Sequence, residues 1–192
     1  RMMTIFWAKD NVNRGTSLFP KKWQFISLYN ASFSYDHIEK DAPSALKDIN
    51  ISIPKFQKVG IVGKTGSGKS TLSKILVGLY PLSQGEYKIG STSFYDVSHD
   101  EVSQHIAIVL QDSEMFNMTL EENITLMRKV DPDLLKKALK VSQLDDVIEK
   151  LPDGLKTPIG EKGYHLSGGE RQRVGIARAI CRDPEIIIFD EA

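Results

Sequence analysis

An α/β fold is what the sequence predicts, and three stretches carry that expectation. Lys58-Val59-Gly60-Ile61-Val62 reads as a short strand buried on both faces, followed by a glycine-rich turn and then by apolar residues at helical spacing, Leu72, Ile75, Leu76 and Leu79. Trp23 to Tyr35 and Leu46 to Ile53 alternate like paired strands, the second ended by Pro54. Ile186-Ile187-Ile188-Phe189 is apolar enough for the middle of a parallel sheet. Strands interleaved with helical stretches give an α/β arrangement.

The turn after Val62 is Gly63-Lys64-Thr65-Gly66-Ser67-Gly68-Lys69-Ser70, which fits G-x-x-x-x-G-K-[ST] between a strand and a helix. Successive backbone N–H groups there point inward and the helix N-terminus adds partial positive charge, so the unit is an anion site. Gly66 and Gly68 let the chain approach a phosphate without a Cβ in the way. Lys69 can reach the β- and γ-phosphates, and the Ser70 hydroxyl can ligate Mg²⁺. The expected nucleotide-contacting run extends from Gly63 through Thr71, and its ligand is a nucleoside triphosphate.

Size and charge narrow the class. With 192 residues the chain holds one core, or one core with a lobe. Its 25 basic and 25 acidic residues cancel, which argues against nucleic acid as a partner. Cys181 is the sole cysteine, so neither a disulfide framework nor zinc spacing is present. No run of 18 apolar residues exists to span a membrane.

The remaining elements follow in order. Residues 1–20 read as a polar linker after a short apolar stub, and His37 to Ser44 as a charged turn. Gln84 to Tyr95 reads as a hairpin and His105 to Leu110 as a core strand. Leu120 to Met127, Asp131 to Val141 and Leu144 to Leu151 are short helical patterns, with Pro132 suited to a first helical position. Pro152-Asp153-Gly154 and Gly160 to Gly163 are loops. Ser167 to Arg182 is a helix with Glu170 in its first turn and Pro184 beyond its end.

Two further motifs carry chemistry. Ile186 to Asp190, then Glu191, sets a carboxylate at the C-terminal end of a core strand, the edge where ligands bind in a parallel sheet. Asp190 would hold Mg²⁺ and Glu191 would polarise the attacking water as general base. Leu166-Ser167-Gly168-Gly169-Glu170-Arg171-Gln172-Arg173 exposes a second helix N-terminus. That eight-residue run closely resembles the signature sequence of ATP-binding cassette (ABC) ATPases, and with the phosphate loop and acidic strand the resemblance covers about Trp23 to Ala192.

The resemblance implies an α/β, P-loop NTPase (RecA-like) core with an antiparallel β subdomain and an inserted α-helical subdomain. It implies a linker from a preceding transmembrane domain over 1–20, an ABC ATPase domain over 21–192, and the helical subdomain over 112–168. Tyr35 matches the aromatic residue that stacks on adenine. Gln111 matches the glutamine joining the core to the helical lobe, able to touch both Mg²⁺ or water and the membrane partner. Catalysis is expected from Glu191, Lys69 and Gln111. Nucleotide contacts are expected from Tyr35, from Gly63 through Thr71, and from Ser167, Gly168, Gly169 and Glu170. Metal contacts are expected from Ser70, Gln111 and Asp190.

The segment Asp112 to Ile124 follows the exporter pattern, with Met118 where glycine is usual, and Thr157 to Gly163 looks like the exporter loop before the signature, with Glu161 facing the membrane domain. In this family two cassettes meet head to tail around ATP, so the expected partners are a second nucleotide-binding domain, as a homodimer or paired half, and transmembrane domains on the same polypeptide. The expected location is the cytoplasmic face of a membrane. The family normally continues into a strand tipped by a histidine, whereas all four histidines here precede Asp190. The 192-residue chain by itself is therefore expected to hydrolyse ATP poorly. A non-transport ABC ATPase and a non-hydrolysing regulatory nucleotide-binding module stand as alternatives.

Overall fold

The alternating stretches near the N-terminus form a four-stranded antiparallel sheet in the order β2-β1-β3-β4. Its strands are β1 (Phe25–Ser34), β2 (Ser44–Pro54), β3 (Gln84–Ile89) and β4 (Thr92–Ser93). The structure, a computed structural model, describes residues 15–35, 44–110, 113–161 and 163–190. They fall into two units, one ending at Val102 and the other beginning at Ser103.

In the first unit β1 pairs with β2 through Ile26 opposite Ile53 and Leu28 opposite Ile51, then shifts register before Ala31. Asn30, at φ 46°, sits in that irregularity, as an extra residue in a bulge does. Helix α1 (Lys69–Leu76) buries Leu72, Ile75 and Leu76. Tyr87 of β3 is fully buried, and its hydroxyl donates to the Leu76 carbonyl at 2.9 Å. Its ring stacks on Phe94 at 4.1 Å. Burial drives the Tyr87 phenol far above its ordinary range, so it stays a neutral donor to the end of α1.

The run Lys58 to Val62 departs from the expectation of a doubly buried strand. It belongs to no strand, and Val59, Ile61 and Val62 are exposed. An apolar run becomes a strand only where a neighbour completes its backbone ladder, and no described strand pairs with this one.

In the second unit β5 (Ile106–Val109) pairs in parallel with β8 (Ile186–Phe189), from Ile106 opposite Ile186 to Val109 opposite Phe189. The expectation that β8 is covered on both faces is met only in part, since Ile187 and Phe189 are exposed while Ile186 and Ile188 are half-buried. Helix α2 (His99–His105), which the apolar pattern does not announce, leads into β5. Its chain start has a Ser98 hydroxyl accepting from the Glu101 N–H at 3.3 Å.

The helices of this unit are α3 (Leu120–Thr125), α4 (Pro132–Val141), α5 (Asp145–Lys150) and α6 (Gly168–Ile180). Thr119 and Glu122 close a reciprocal capping box at α3, and Asp131 caps α4 with Pro132 behind it. The apolar faces meet in one core containing Leu120, Ile124, Ala138, Leu144, Val147 and Val174. A short antiparallel pair, β6 (Met118–Thr119) with β7 (Pro158–Ile159), ties the loop before α3 to the loop before α6.

Candidate functional site

The phosphate loop is built onto the start of α1. The Ser67 N–H donates to the Lys64 carbonyl at 3.1 Å and closes the turn. Gly66 (φ 81°) and Gly68 (φ 88°) both hold left-handed backbone. Gly68 has a second reason to lack a side chain, because a Cβ there would lie 2.7 Å from the Ala45 carbonyl oxygen and 2.8 Å from Leu46 Cδ2. As N-cap of α1, Gly68 offers no side chain to the first-turn N–H groups. Those donors and the helix dipole suit an anion.

Around this turn the chain sets its polar side chains. Lys69 Nζ donates to the carbonyls of Gly63 at 2.9 Å and Lys64 at 3.0 Å, which folds the ammonium against the loop backbone. Ser70 is half-buried in the first turn of α1, with Thr71 buried beside it. The Thr71 hydroxyl lies 3.1 Å from that of Tyr35. The residue expected to meet the base is thus joined to the helix expected to meet the phosphates. Gly63, Lys64, Thr65, Gly66 and Ser67 are all exposed.

The second unit holds the other motifs. Asp190 follows β8 and extends its ladder, its N–H donating to the Val109 carbonyl at 3.0 Å. Ser167 caps α6, and Glu170 Oε2 accepts from both the N–H and the hydroxyl of Ser167 at 2.8 Å. These two donors hold the Glu170 carboxyl below the usual carboxylate range. Glu170 is therefore the third residue of a capping box as well as a first-turn acid. A Cβ on Gly169 would meet nothing within 4 Å, and on Gly168 only the tip of Arg171 at 3.9 Å. Neither glycine holds left-handed backbone. Internal packing therefore does not require glycine at either position.

Gln111, Glu191, Asp112, Lys162 and His37 lie outside the described residues. Glu161 is exposed, in a tight loop held by the Gly163 N–H on the Gly160 carbonyl at 3.2 Å. Among the described residues no group of three or more His, Cys, Asp or Glu clusters as a metal site. The donors expected for Mg²⁺ are of another kind, a hydroxyl and a carboxylate beside phosphate oxygens, and these hard oxygens fit it.

Three residues with evident structural roles escape a reading of the sequence. Asn123 is fully buried, and its side chain bonds the backbone of Phe116, Met118 and Thr119. Arg178, in the last turn of α6, donates to the carbonyls of Asn123 and Glu114 and to Asn123 Oδ1. Desolvation lowers the Arg178 pKa, and the guanidinium is held by donating to neutral acceptors alone, two backbone carbonyls, Asn123 Oδ1 and the Met115 sulfur. Tyr80 packs on Phe33 and Tyr35. A lone Asn, Arg or Tyr gives no periodic signal. The pattern S/T-x-x-E, however, stands at Ser98, Thr119 and Ser167 and announces the helix starts that follow.

A glycine-turned, uncapped helix start with a lysine folded against its loop defines a phosphate-loop NTPase. The family follows from comparison: the "ABC transporter" family model matches residues 46–192, and the chain belongs to that family. It is an ATP-binding ABC-type ATPase domain with the P-loop NTPase fold, and its relatives are exporter components. It is 37% identical over 188 residues to ABC transporter B family member 6 of Dictyostelium discoideum, covering 95% of this chain and 27% of that protein. It is 33% identical over 193 residues to the ATP-dependent lipid A-core flippase of Escherichia coli, covering 100% of this chain and 33% of that protein. A solved bacterial Atm1-family ABC exporter with ATP bound superposes with a TM-score of 0.87 at 31% identity, over 99% of this chain and 33% of that one. The chain thus spans about a quarter to a third of the relatives it matches. Among the described residues no helix is long and apolar enough to cross a membrane.

Proposed function

We propose that this chain is the ATP-hydrolysing half of an exporter, working at the cytoplasmic face of a membrane with transmembrane domains on the same polypeptide. In this reading residues 1–20 link to those domains, 21–192 form the cassette, and 112–168 form its helical lobe. The observation that carries the proposal is the pair of glycine-opened helix starts. One is the phosphate loop on α1; the other, at Ser167 to Gly169, has room that the chain itself does not use. Head-to-tail pairing with a second cassette sets the phosphate loop of one against the signature of the other, with one ATP between them.

The roles follow from the residue chemistry. Backbone N–H groups from Gly63 through Thr71 and the Lys69 ammonium hold the phosphates, and Tyr35 receives the base. Mg²⁺, which Ser70, Asp190 and Gln111 would hold, supplies neutralisation of phosphate charge. Glu191 takes a proton from water as its oxygen bonds to the γ-phosphorus, and the bond to the β–γ bridging oxygen breaks to leave ADP and phosphate. The γ-phosphate favours the closed pair, and its loss releases it. The transporter names of the relatives favour this reading over a non-transport or purely regulatory cassette.

The test is ATP turnover and vesicle uptake by the full-length protein, before and after Glu191→Gln. Turnover should fall about 100-fold or more with ATP binding kept, the loss expected of a general base. Undiminished turnover would remove Glu191 from the mechanism, and failure of the unaltered protein to bind ATP would overturn the reading.

A further inference from the structure

We infer that Tyr80 is the residue that positions Tyr35 for a nucleobase, an inference that rests on the reading of Tyr35 as the base platform. Three rings meet in the first unit. Phe33 and Tyr80 lie nearly parallel at 5.3 Å with 29° between their planes. Tyr35 stands close to perpendicular to both, at 4.8 Å from Phe33 and 5.5 Å from Tyr80, each at 84°. Edge-to-face contact at these distances is the favoured arrangement of aromatic rings. A stacking platform is useful only if its plane is fixed before the ligand arrives, and two perpendicular neighbours fix a plane where one would leave it free to swing.

The chain gives Tyr80 a firm seat. Helix α1 ends with Gly78 in left-handed backbone (φ 78°), its N–H donating to the Ile75 carbonyl, while the Leu79 N–H donates to the Lys74 carbonyl, both at 2.9 Å. These are the paired bonds of a Schellman motif, and they deliver the next residue, Tyr80, at a set angle from the helix. Phe33 is fixed from the other side, buried in β1 opposite Leu46. Tyr35 is therefore tied to both ends of α1: by its hydroxyl to Thr71 in the first turn, and by its ring to Tyr80 just past the last. The proposed base platform and the phosphate loop are thus anchored on the same helix. Tyr35 and Tyr80 are each only half-buried, so the cluster keeps ring surface open to a planar ligand.

The experiment is calorimetric titration of the full chain with ATP and, separately, with tripolyphosphate, which engages the phosphate loop but has no base. Tyr80→Ala should weaken ATP by about two- to tenfold, the equivalent of one aromatic pair, and leave tripolyphosphate unchanged. Tyr80→Phe should keep the unaltered affinity, because the contacts are made by the ring. Adding Tyr80→Ala to Tyr35→Ala should cost nothing further, since Tyr80 acts through Tyr35. Should Tyr80→Ala misfold, Tyr80→Leu keeps the bulk while removing the ring, and the same split is expected.

Equal weakening of ATP and tripolyphosphate by the Tyr80 variants would reduce the residue to packing for α1 and overturn the inference. Full ATP affinity in Tyr80→Ala, with loss in Tyr35→Ala, would overturn it while sparing the platform. Full ATP affinity in Tyr35→Ala would bring down the platform itself, and the inference with it.

Discussion

Removing the side chain of Asn123 should cost more than any surface feature of the helical unit. The residue has no solvent exposure, and its amide makes five bonds. Nδ2 donates to the carbonyls of Phe116 at 2.9 Å, Thr119 at 3.0 Å and Met118 at 3.3 Å. Oδ1 accepts from the Phe116 N–H and from Arg178 Nη2, both at 2.9 Å. Asn123→Ala strands one amide donor and one arm of a desolvated guanidinium, each worth about 1–3 kcal/mol when left unmade. The carbonyls tolerate the loss better, because each has a second lone pair. The sum is about 2–6 kcal/mol, which for a chain of this length lowers the melting temperature by about 4–24 °C. Urea unfolding of the full chain, followed by far-ultraviolet circular dichroism, measures it, and hydrogen exchange at the Phe116 amide reports the local opening. Asn123→Asp keeps the accepted bonds and gains a carboxylate opposite Arg178, but it turns three donated bonds into oxygen–oxygen contacts. It too should be less stable than the parent. An alanine variant within about 1 kcal/mol of the parent would show that these bonds are replaced by water at no cost, and the reasoning would fail.

Other positions give sharp contrasts. Gly68→Ala should destabilise by about 1–3 kcal/mol, from left-handed backbone and the clash with Ala45, as thermal unfolding would show. Gly169→Ala should instead stay within about 0.5 kcal/mol of the parent in the same assay while reducing ATP turnover of the full-length protein. Ser167→Ala removes an N-cap and should cost about 1 kcal/mol. The Glu170 pKa is depressed in the fold, so its stabilisation is present above the unfolded value of 4.5 and lost as pH falls through the folded value. Melting temperature against pH should show that loss in the parent, and Glu170→Gln, which has no carboxyl to titrate, should lose less. Lys69→Ala should weaken ATP binding at least about tenfold, in line with removal of one charge-assisted phosphate contact, and calorimetry that found no change would take Lys69 out of the site.

What could be read from the sequence and what could not divide along a physical line. Local patterns, in which a residue and its near neighbours determine the outcome, hold best: β1 and β2 pair as strands, α1 buries Leu72, Ile75 and Leu76 while Leu79 falls beyond its end and is exposed, and Pro132 opens α4. The capping boxes at Thr119 and Ser167 belong to the same class, since they depend on residues three apart. Lys58 to Val62 fails because hydrophobicity shows what a segment would bury, and only a neighbouring strand decides whether it does. Asn123 and Tyr80 were silent for a related reason. Asn123 takes its meaning from Arg178, 55 positions away, and Tyr80 from Phe33 and Tyr35 on another strand.

Helix α6 shows how the legible and illegible parts combine. Its first turn carries the signature glycines, opened to the outside by the Ser167 and Glu170 cap. Halfway along, Gly175 faces Ser113 so closely that any Cβ would collide with the serine side chain. In the last turn Arg178 grips the Glu114 and Asn123 carbonyls and lies over the Phe116 ring at 5.7 Å. The segment that begins two residues after Gln111 is thus fastened to the same 13-residue helix that presents Gly168 and Gly169. A helix of that length transmits a displacement of its N-terminus with little bending, because its axial hydrogen bonds and packed faces resist it. On the proposed reading of Gly168 and Gly169 as nucleotide contacts, a shift of those glycines would be carried to residues 113–123 through α6, because Arg178 with Asn123 joins that segment to the helix.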